Sequence, residues 1–152
     1  KHPGEFKAKN NRAGDTHFVD VKLVRGTLTR GFNYYKILID PFARAAYMMF
    51  IVSEVHPFED GNGRIARVMM NAELVNRNQC KIVIPTVYRE DYLLTLKKLT
   101  REKDPVPYVE MLTKAHRFSA NLHNESYDEL YKYLESHNAF YEPDEGKHLI
   151  ID

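Results

Sequence analysis

From Ala45 to Val52 the chain reads AAYMMFIV, apolar on nearly every face of a helix, which predicts a central, buried helix rather than a surface one. Asp40-Pro41 supplies an N-cap and a first helical residue for it, and the helix should run to about Val55. A second helix is expected to start at about Arg64, with Ile65, Val68, Met69, Ala72 and Val75 on an apolar face and Arg64, Arg67 and Asn71 on a polar one. Helical spacing recurs in Tyr92, Leu93, Leu96 and Leu99, then in Tyr108, Met111, Leu112, Ala115, Phe118 and Leu122, then in Tyr127, Leu130, Tyr131 and Leu134. The N-terminal part is patterned differently. Lys1 to Asn11 reads as a loop or an extended lead-in, and RAGDTHFVDVKLV, Arg12 to Val24, as a short hairpin. Arg25 to Ile39, interrupted by Gly26, Gly31 and Asn33, reads as loop plus helix. Lys81 to Ile84 is a short strand or an apolar turn, and Asn138 to Asp152 a tail. The pattern as a whole predicts a mainly α-helical single domain.

Composition supports one unit with a sizeable core: 152 residues, 43% apolar and 12% aromatic. Charge is nearly balanced, with 22 Lys plus Arg against 21 Asp plus Glu, so neither nucleic acid nor an anionic membrane is an expected partner. Any attraction for phosphate must be local. Cys80 is the only cysteine, which excludes an intrachain disulfide framework and a multi-cysteine zinc site and favours a reducing compartment such as the cytoplasm. No stretch has the composition of a membrane span, and no signal peptide is visible.

The chemistry concentrates in His56 to Arg67, HPFEDGNGRIAR. Pro57 disfavours a helical conformation at the residue before it, so His56 should stand where the buried helix breaks. Gly61, Asn62 and Gly63 allow backbone angles that turn successive N–H groups toward an anion, and a helix N-terminus following them favours phosphate. Arg64 and Arg67 are separated by one helical turn, a rise of roughly 4.5 Å. Two planar guanidinium forks at that spacing can address neighbouring phosphates.

This stretch resembles the signature of the Fic (filamentation induced by cAMP) family, HPFx(D/E)GNGRxxR, at every specified position. Fic domains are helical folds that mostly transfer AMP from ATP to a hydroxyl side chain of a target protein and release pyrophosphate. The resemblance implies a mainly α Fic fold, a helical bundle around a central buried helix with a short β-hairpin flap. Its core would span residues 1–125, with the flap at about 11–19 and the motif at 56–67; residues 126–152 would be a C-terminal helix and tail packed on or trailing from the same domain.

Residue by residue, the resemblance makes His56 the general base and Asp60 the Mg²⁺ ligand, with Phe58 the motif's anchor. It makes Gly61, Asn62 and Gly63 the anion-binding loop, with Arg64 addressing the β-phosphate and Arg67 the γ-phosphate. Gly14, Asp15, Thr16, His17 and Phe18 would form the flap that holds the target, and Asn71 borders the nucleoside. ATP and Mg²⁺ are the implied cofactors, and a protein with a Ser, Thr or Tyr hydroxyl is the implied partner. Arg77-Asn78-Gln79 departs from the small-residue pattern expected after the motif helix, which leaves base selection open.

Many Fic proteins carry an inhibitory helix, (S/T)xxxE(G/N). Only Thr86-Val87-Tyr88-Arg89-Glu90 comes close here, followed by Asp91 instead of Gly or Asn. The expectation is an inhibitory segment upstream or on a partner chain, with an oligomer possible. Two alternatives stand beside AMP transfer: the same fold using another nucleotide donor, and a nucleotide-binding interaction module without turnover.

Overall fold

The computed structural model describes residues 4–122 and 126–151. The chain divides into two compact units, Lys1–Gln79 and Cys80–Asp152. The boundary expected between residues 125 and 126 adjoins 123–125, which lie outside the described residues.

In the first unit, β1 (Arg12–Ala13) and β2 (Thr16–His17) form an antiparallel hairpin in which Arg12 faces His17 and Ala13 faces Thr16. Gly14 makes the turn at φ 53°, a left-handed angle that glycine adopts without a Cβ penalty. The hairpin is shorter than the pattern predicted, because Val21–Leu23 form a 3₁₀ turn that leads into α1 (Val24–Tyr35). Asp20 decides this locally: its Oδ1 accepts from Lys22 N–H at 2.9 Å and its Oδ2 from Asn10 Nδ2 at 2.8 Å. A capping carboxylate thus outweighs the alternating Val19 and Val21.

The central helix is as expected. α2 (Pro41–Val55) begins at Asp40, whose Oδ1 accepts from Ala43 N–H at 2.7 Å, and it buries Ala45, Met48, Met49, Val52 and Val55. α3 (Asn62–Val75) packs against it. The inward face of α3 differs from the predicted one. Asn62, Ala66, Met70 and Leu74 are buried, whereas Val68 is 63% exposed and Ile65 and Val75 are also exposed. The buried stripe follows i, i+4 spacing and begins with a polar residue, so counting apolar side chains pointed to the neighbouring face.

Arg44, near the start of α2, pairs with Glu73, near the end of α3, through Nε and Oε2 at 3.1 Å, so the two helices run antiparallel. Tyr35 of α1 donates its hydroxyl to Glu73 Oε1 at 2.5 Å and accepts from Arg44 Nη2, while Arg44 Nη1 donates to Leu38 O at 3.0 Å. This network binds three helices at the end of the α2–α3 pair remote from His56.

In the second unit, a 3₁₀ turn at Thr86–Tyr88 precedes α4 (Arg89–Glu102), which packs on α5 (Val106–Ala120) and is followed by α6 (Tyr127–Ser136). The Thr86–Glu90 stretch therefore makes a turn and the start of a helix. α5 buries Tyr108, Met111, Leu112, Ala115 and Phe118, as its spacing predicts. Lys81 to Ile84 form no strand; instead Ser119 Oγ accepts from Val83 N–H at 2.8 Å, standing in for a ladder partner. α6 opens on a capping box between Ser126 and Glu129, but Tyr127 and Tyr131 point outward, at 76% and 43% exposed, against the predicted face. No helix among the described residues is long and apolar enough to cross a membrane.

Two glycines of α1 give opposite expectations for the same substitution. A methyl group on Gly31 would lie 2.8 Å from Ile51 Cδ1, on a buried β-branched side chain of α2 with little rotamer freedom, whereas Gly26 faces open space. Gly26→Ala should stabilise by up to about 1 kcal/mol through helix propensity. Gly31→Ala should lose that gain to overpacking worth about 1–3 kcal/mol. Thermal unfolding of the two variants should give shifts of opposite sign.

Candidate active site

α2 ends at His56, which takes a left-handed backbone conformation, φ 48° and ψ 57°, and donates its own N–H to Val52 O at 3.1 Å. Three residues earlier, Ser53 O would accept from the N–H four positions on in a continuing helix, but that position is Pro57, which has none. The His56 imidazole takes the place of the missing donor, with Nδ1 3.1 Å from Ser53 O. A carbonyl can only accept, so the proton of the neutral ring sits on Nδ1 and Nε2 carries the lone pair. The ring is half-buried and stacks on Phe18, just past the hairpin, at 3.7 Å between centroids and 12° between planes. Burial lowers the His56 pKa from the ordinary 6.5. The Ser53 hydrogen bond opposes this and the nearby Lys7 charge adds to it. At neutral pH the imidazole is a neutral base.

The irregular backbone that follows is satisfied group by group, as buried polar groups require. Val55 O accepts from Lys7 Nζ at 3.4 Å and Pro57 O from Lys7 N–H at 2.8 Å. Asn11 Nδ2 donates to Phe58 O at 3.1 Å and reaches His56 O at 3.5 Å. Asn62 closes the loop, accepting from Phe58 N–H on Oδ1 and donating to Phe58 O from Nδ2, both at 2.8 Å. The Asn62 side chain, 2% exposed, is therefore the brace of the loop, and any anion it meets is met by its backbone. Phe58 lies half-buried with its ring 6.1 Å from that of Phe6.

Beyond the loop, Gly61 is the N-cap of α3 at φ 80° and brings no capping side chain. The first-turn amides and the positive end of the helix dipole are thus presented from Asn62 and Gly63 onward. Both arginines fold back over them. A methyl group on Gly61 would lie 3.6 Å from Arg64 Nη2, and one on Gly63 3.8 Å from Arg67 Nη1. Asp60 is exposed, with Oδ1 accepting from Gly61 N–H at 2.7 Å. Asn71 is half-buried on α3, seven residues beyond Arg64 and so roughly 10 Å along the helix axis. Of the predicted flap residues, Gly14 and Asp15 form the turn, Thr16 and His17 the second strand, and Phe18 alone is in ring contact with His56.

Sequence reasoning missed Lys7 and the bracing role of Asn11. Lys7 is 2% exposed although it sits in a basic, polar lead-in, where a lysine normally reads as solvated. No local pattern signals it, because the carbonyls it serves, at Val55 and Pro57, are left in want of a donor only where the distant chain breaks at His56.

A Fic/DOC family model matches residues 1–74, which include all of these groups. This segment is a Fic domain. Protein adenylyltransferase Fic of Drosophila persimilis is 36% identical over 74 residues, 49% of this chain and 14% of that protein. Protein adenylyltransferase fic-1 of Caenorhabditis elegans is 33% identical over 78 residues, 51% of this chain and 15% of that protein. The chain thus spans about a seventh of the curated relatives it matches. Among solved structures, a Fic-domain-containing signaling protein from Bacteroides thetaiotaomicron is similar at TM-score 0.63 and 25% identity, covering 75% of this chain and 55% of that one. Residues 134–508 of C. elegans Fic-1 share the fold at TM-score 0.64 and 23% identity, over 88% of this chain and 37% of that one. The fold is the Fic fold, mainly helical with a small antiparallel hairpin.

Two outcomes test this geometry. Asn62→Ala strands the Phe58 N–H and adds a cavity, so the urea midpoint should fall by the equivalent of about 2–4 kcal/mol. For His56, whose folded pKa lies below its unfolded 6.5, the unfolded chain binds the proton first. Its contribution to stability should be whole above pH 6.5 and be lost as pH falls through 6.5 to the folded pKa. Urea midpoints measured across this range should show that slope in the wild type and a flatter one in His56→Asn, which tolerates the left-handed backbone.

Proposed function

We propose that the chain transfers AMP from ATP to a Ser, Thr or Tyr hydroxyl of a target protein. The observation that carries this reading is the pairing of a neutral imidazole, its Nε2 lone pair set by the Ser53 hydrogen bond, with an arginine-flanked helix N-terminus six residues on. A base and a phosphate cradle so placed suit attack by a hydroxyl on a phosphorus atom. The adenylyltransferase names of the relatives support the donor and the kind of acceptor.

In this reaction the hydroxyl oxygen forms a bond to the α-phosphorus of ATP, and the bond from that phosphorus to the bridging oxygen breaks. Pyrophosphate leaves with the electron pair, and the hydroxyl proton passes to His56 Nε2. The amides at Asn62 and Gly63 stabilise charge on the α-phosphate oxygens. Arg64 and Arg67 hold the β- and γ-phosphates through paired N–H donors. Phe18, stacked on the imidazole, limits its rotation, and the hairpin offers main-chain groups to an extended target.

The residues also suit Mg²⁺. Asp60 is a hard oxygen donor beside the phosphate cradle, and Mg²⁺ commonly takes one or two carboxylates together with substrate phosphates. Among the described residues no group of three or more His, Cys, Asp or Glu could hold a metal alone, so the ion would arrive with the nucleotide. When bound, it supplies positive charge that favours departure of pyrophosphate.

His56→Asn should lower AMP transfer by about 10²-fold or more while MgATP binding is retained. Mass spectrometry for added AMP on the chain itself or on proteins of a lysate, with calorimetry for MgATP, checks both. Transfer that persists in His56→Asn would remove His56 as the base. MgATP binding without transfer by the wild type would instead favour an interaction module.

A further inference from the structure

Lys7 and Asn11 lie outside the family signature, yet both tie the lead-in to the end of α2 and to the motif by hydrogen bonds. Lys7 Nζ donates to Asn11 Oδ1 at 2.7 Å and to Val55 O at 3.4 Å, while its main-chain N–H donates to Pro57 O at 2.8 Å. Asn11 Nδ2 spans His56 O and Phe58 O. The carbonyl of Asn11 accepts from Phe18 N–H at 3.3 Å, closing the base of the hairpin on the residue that stacks on His56.

We propose that Lys7 and Asn11 are positioning residues of this site, a buried clamp that fastens the base of the hairpin to the last carbonyls of α2 and to the loop behind His56. The clamp fixes how far a target chain lying along the hairpin stands from the imidazole, and to that extent it rests on the transferase reading. The placement is physically sound: a cation against the C-terminal carbonyls of a helix meets the negative end of its dipole. Burial at 2% exposure leaves the ammonium few alternatives to these bonds. A lysine that merely filled space would not need Asn11, whose amide spends its oxygen on Lys7 and its nitrogen on the motif.

The charges that bear on a test are few. Lys7 is the charged group that acts on His56, and Asp20, held by Asn10 and by Lys22 N–H, acts in turn on Lys7. Lys7→Met keeps the stem and removes the charge and the donors; Asn11→Ala removes the link and keeps the charge. NMR of the 152-residue chain reads the His56 ring directly, through its titration and through the upfield shift that stacking on Phe18 imposes.

In Lys7→Met the His56 pKa should rise and the stacking shift should shrink; in Asn11→Ala the stacking shift should shrink as well. A stacking shift unchanged in Asn11→Ala overturns the clamp, and because Asn11 is only half-buried this arm decides even where Lys7→Met does not fold. In the transfer assay both variants should lose about tenfold in kcat with KM for MgATP unchanged, as misplacement of a base predicts. A rise in KM for MgATP with kcat intact would place the effect in the nucleotide site and overturn the proposal. If the wild type transfers no AMP, the transferase reading fails while the NMR arms still decide the clamp.

Discussion

The structure of the site depends on one substitution of hydrogen-bond partners: Pro57 deprives the last turn of α2 of a donor, and the His56 imidazole replaces it. That exchange stops the helix, sets the histidine in a left-handed conformation and selects its tautomer in a single step. The chain then turns within five residues, 57–61, from the carbonyl end of α2 to the amide end of α3. Two helix ends of opposite polarity are thereby brought side by side, the negative one beside a lysine and a histidine, the positive one beside two arginines. The proposed base, which must stay neutral, and the proposed cradle, which must hold anions, would need these different surroundings.

Such a turn is possible only because its peptide groups have partners. Asn62 and Asn11 both donate to Phe58 O, Asn62 also accepts from Phe58 N–H, and Lys7 serves Val55 and Pro57. Burying unpaired amides or carbonyls would cost about 1–3 kcal/mol each, comparable with much of a domain's net stability when several are involved. The buried polar residues described in the first unit, Lys7, Ser53 and Asn62, thus lie in or beside the irregular backbone, while α2 before Ser53 buries apolar side chains. At the other end of the helix pair, Arg44, Glu73 and Tyr35 hold α2, α3 and α1 together, so the pair is fixed at both ends by polar groups and between them by Met49, Met70 and Leu74.

What the sequence revealed follows the range of the interactions. The Asp40 cap, the buried α2, the break at His56 and the start of α3 near the glycines depend on neighbours within a few positions, and all were legible. The inward face of α3 was not. Asn62 takes a core position because of a bond to Phe58, and the exposed Val68 has the same hydrophobicity it would have inside. The hairpin was placed correctly but drawn too long, since Asp20 caps a 3₁₀ turn where alternation suggested a strand. Lys7 was invisible because the groups that bury it lie about fifty positions away, and no local pattern in a polar lead-in foretells that. Tyr127 and Tyr131 show the opposite error, in which aromatic character was read as burial.

The two tasks of the loop pull against one another at Lys7. Its charge supports the carbonyl end of α2 and, through Asn11, the base of the hairpin, but the same charge disfavours protonation of His56. A stronger base would result if the cation were moved away, yet the imidazole would then lose part of the framework that aims it. The Ser53 hydrogen bond works in the other direction, stabilising the protonated ring while it fixes the tautomer. For the proton transfer proposed here, orientation of the lone pair would be worth more than a modest gain in basicity, because rate depends only fractionally on base strength and steeply on geometry. The balance found here, with burial and Lys7 lowering the pKa and Ser53 raising it, therefore favours a well-aimed neutral imidazole over a more basic but looser one.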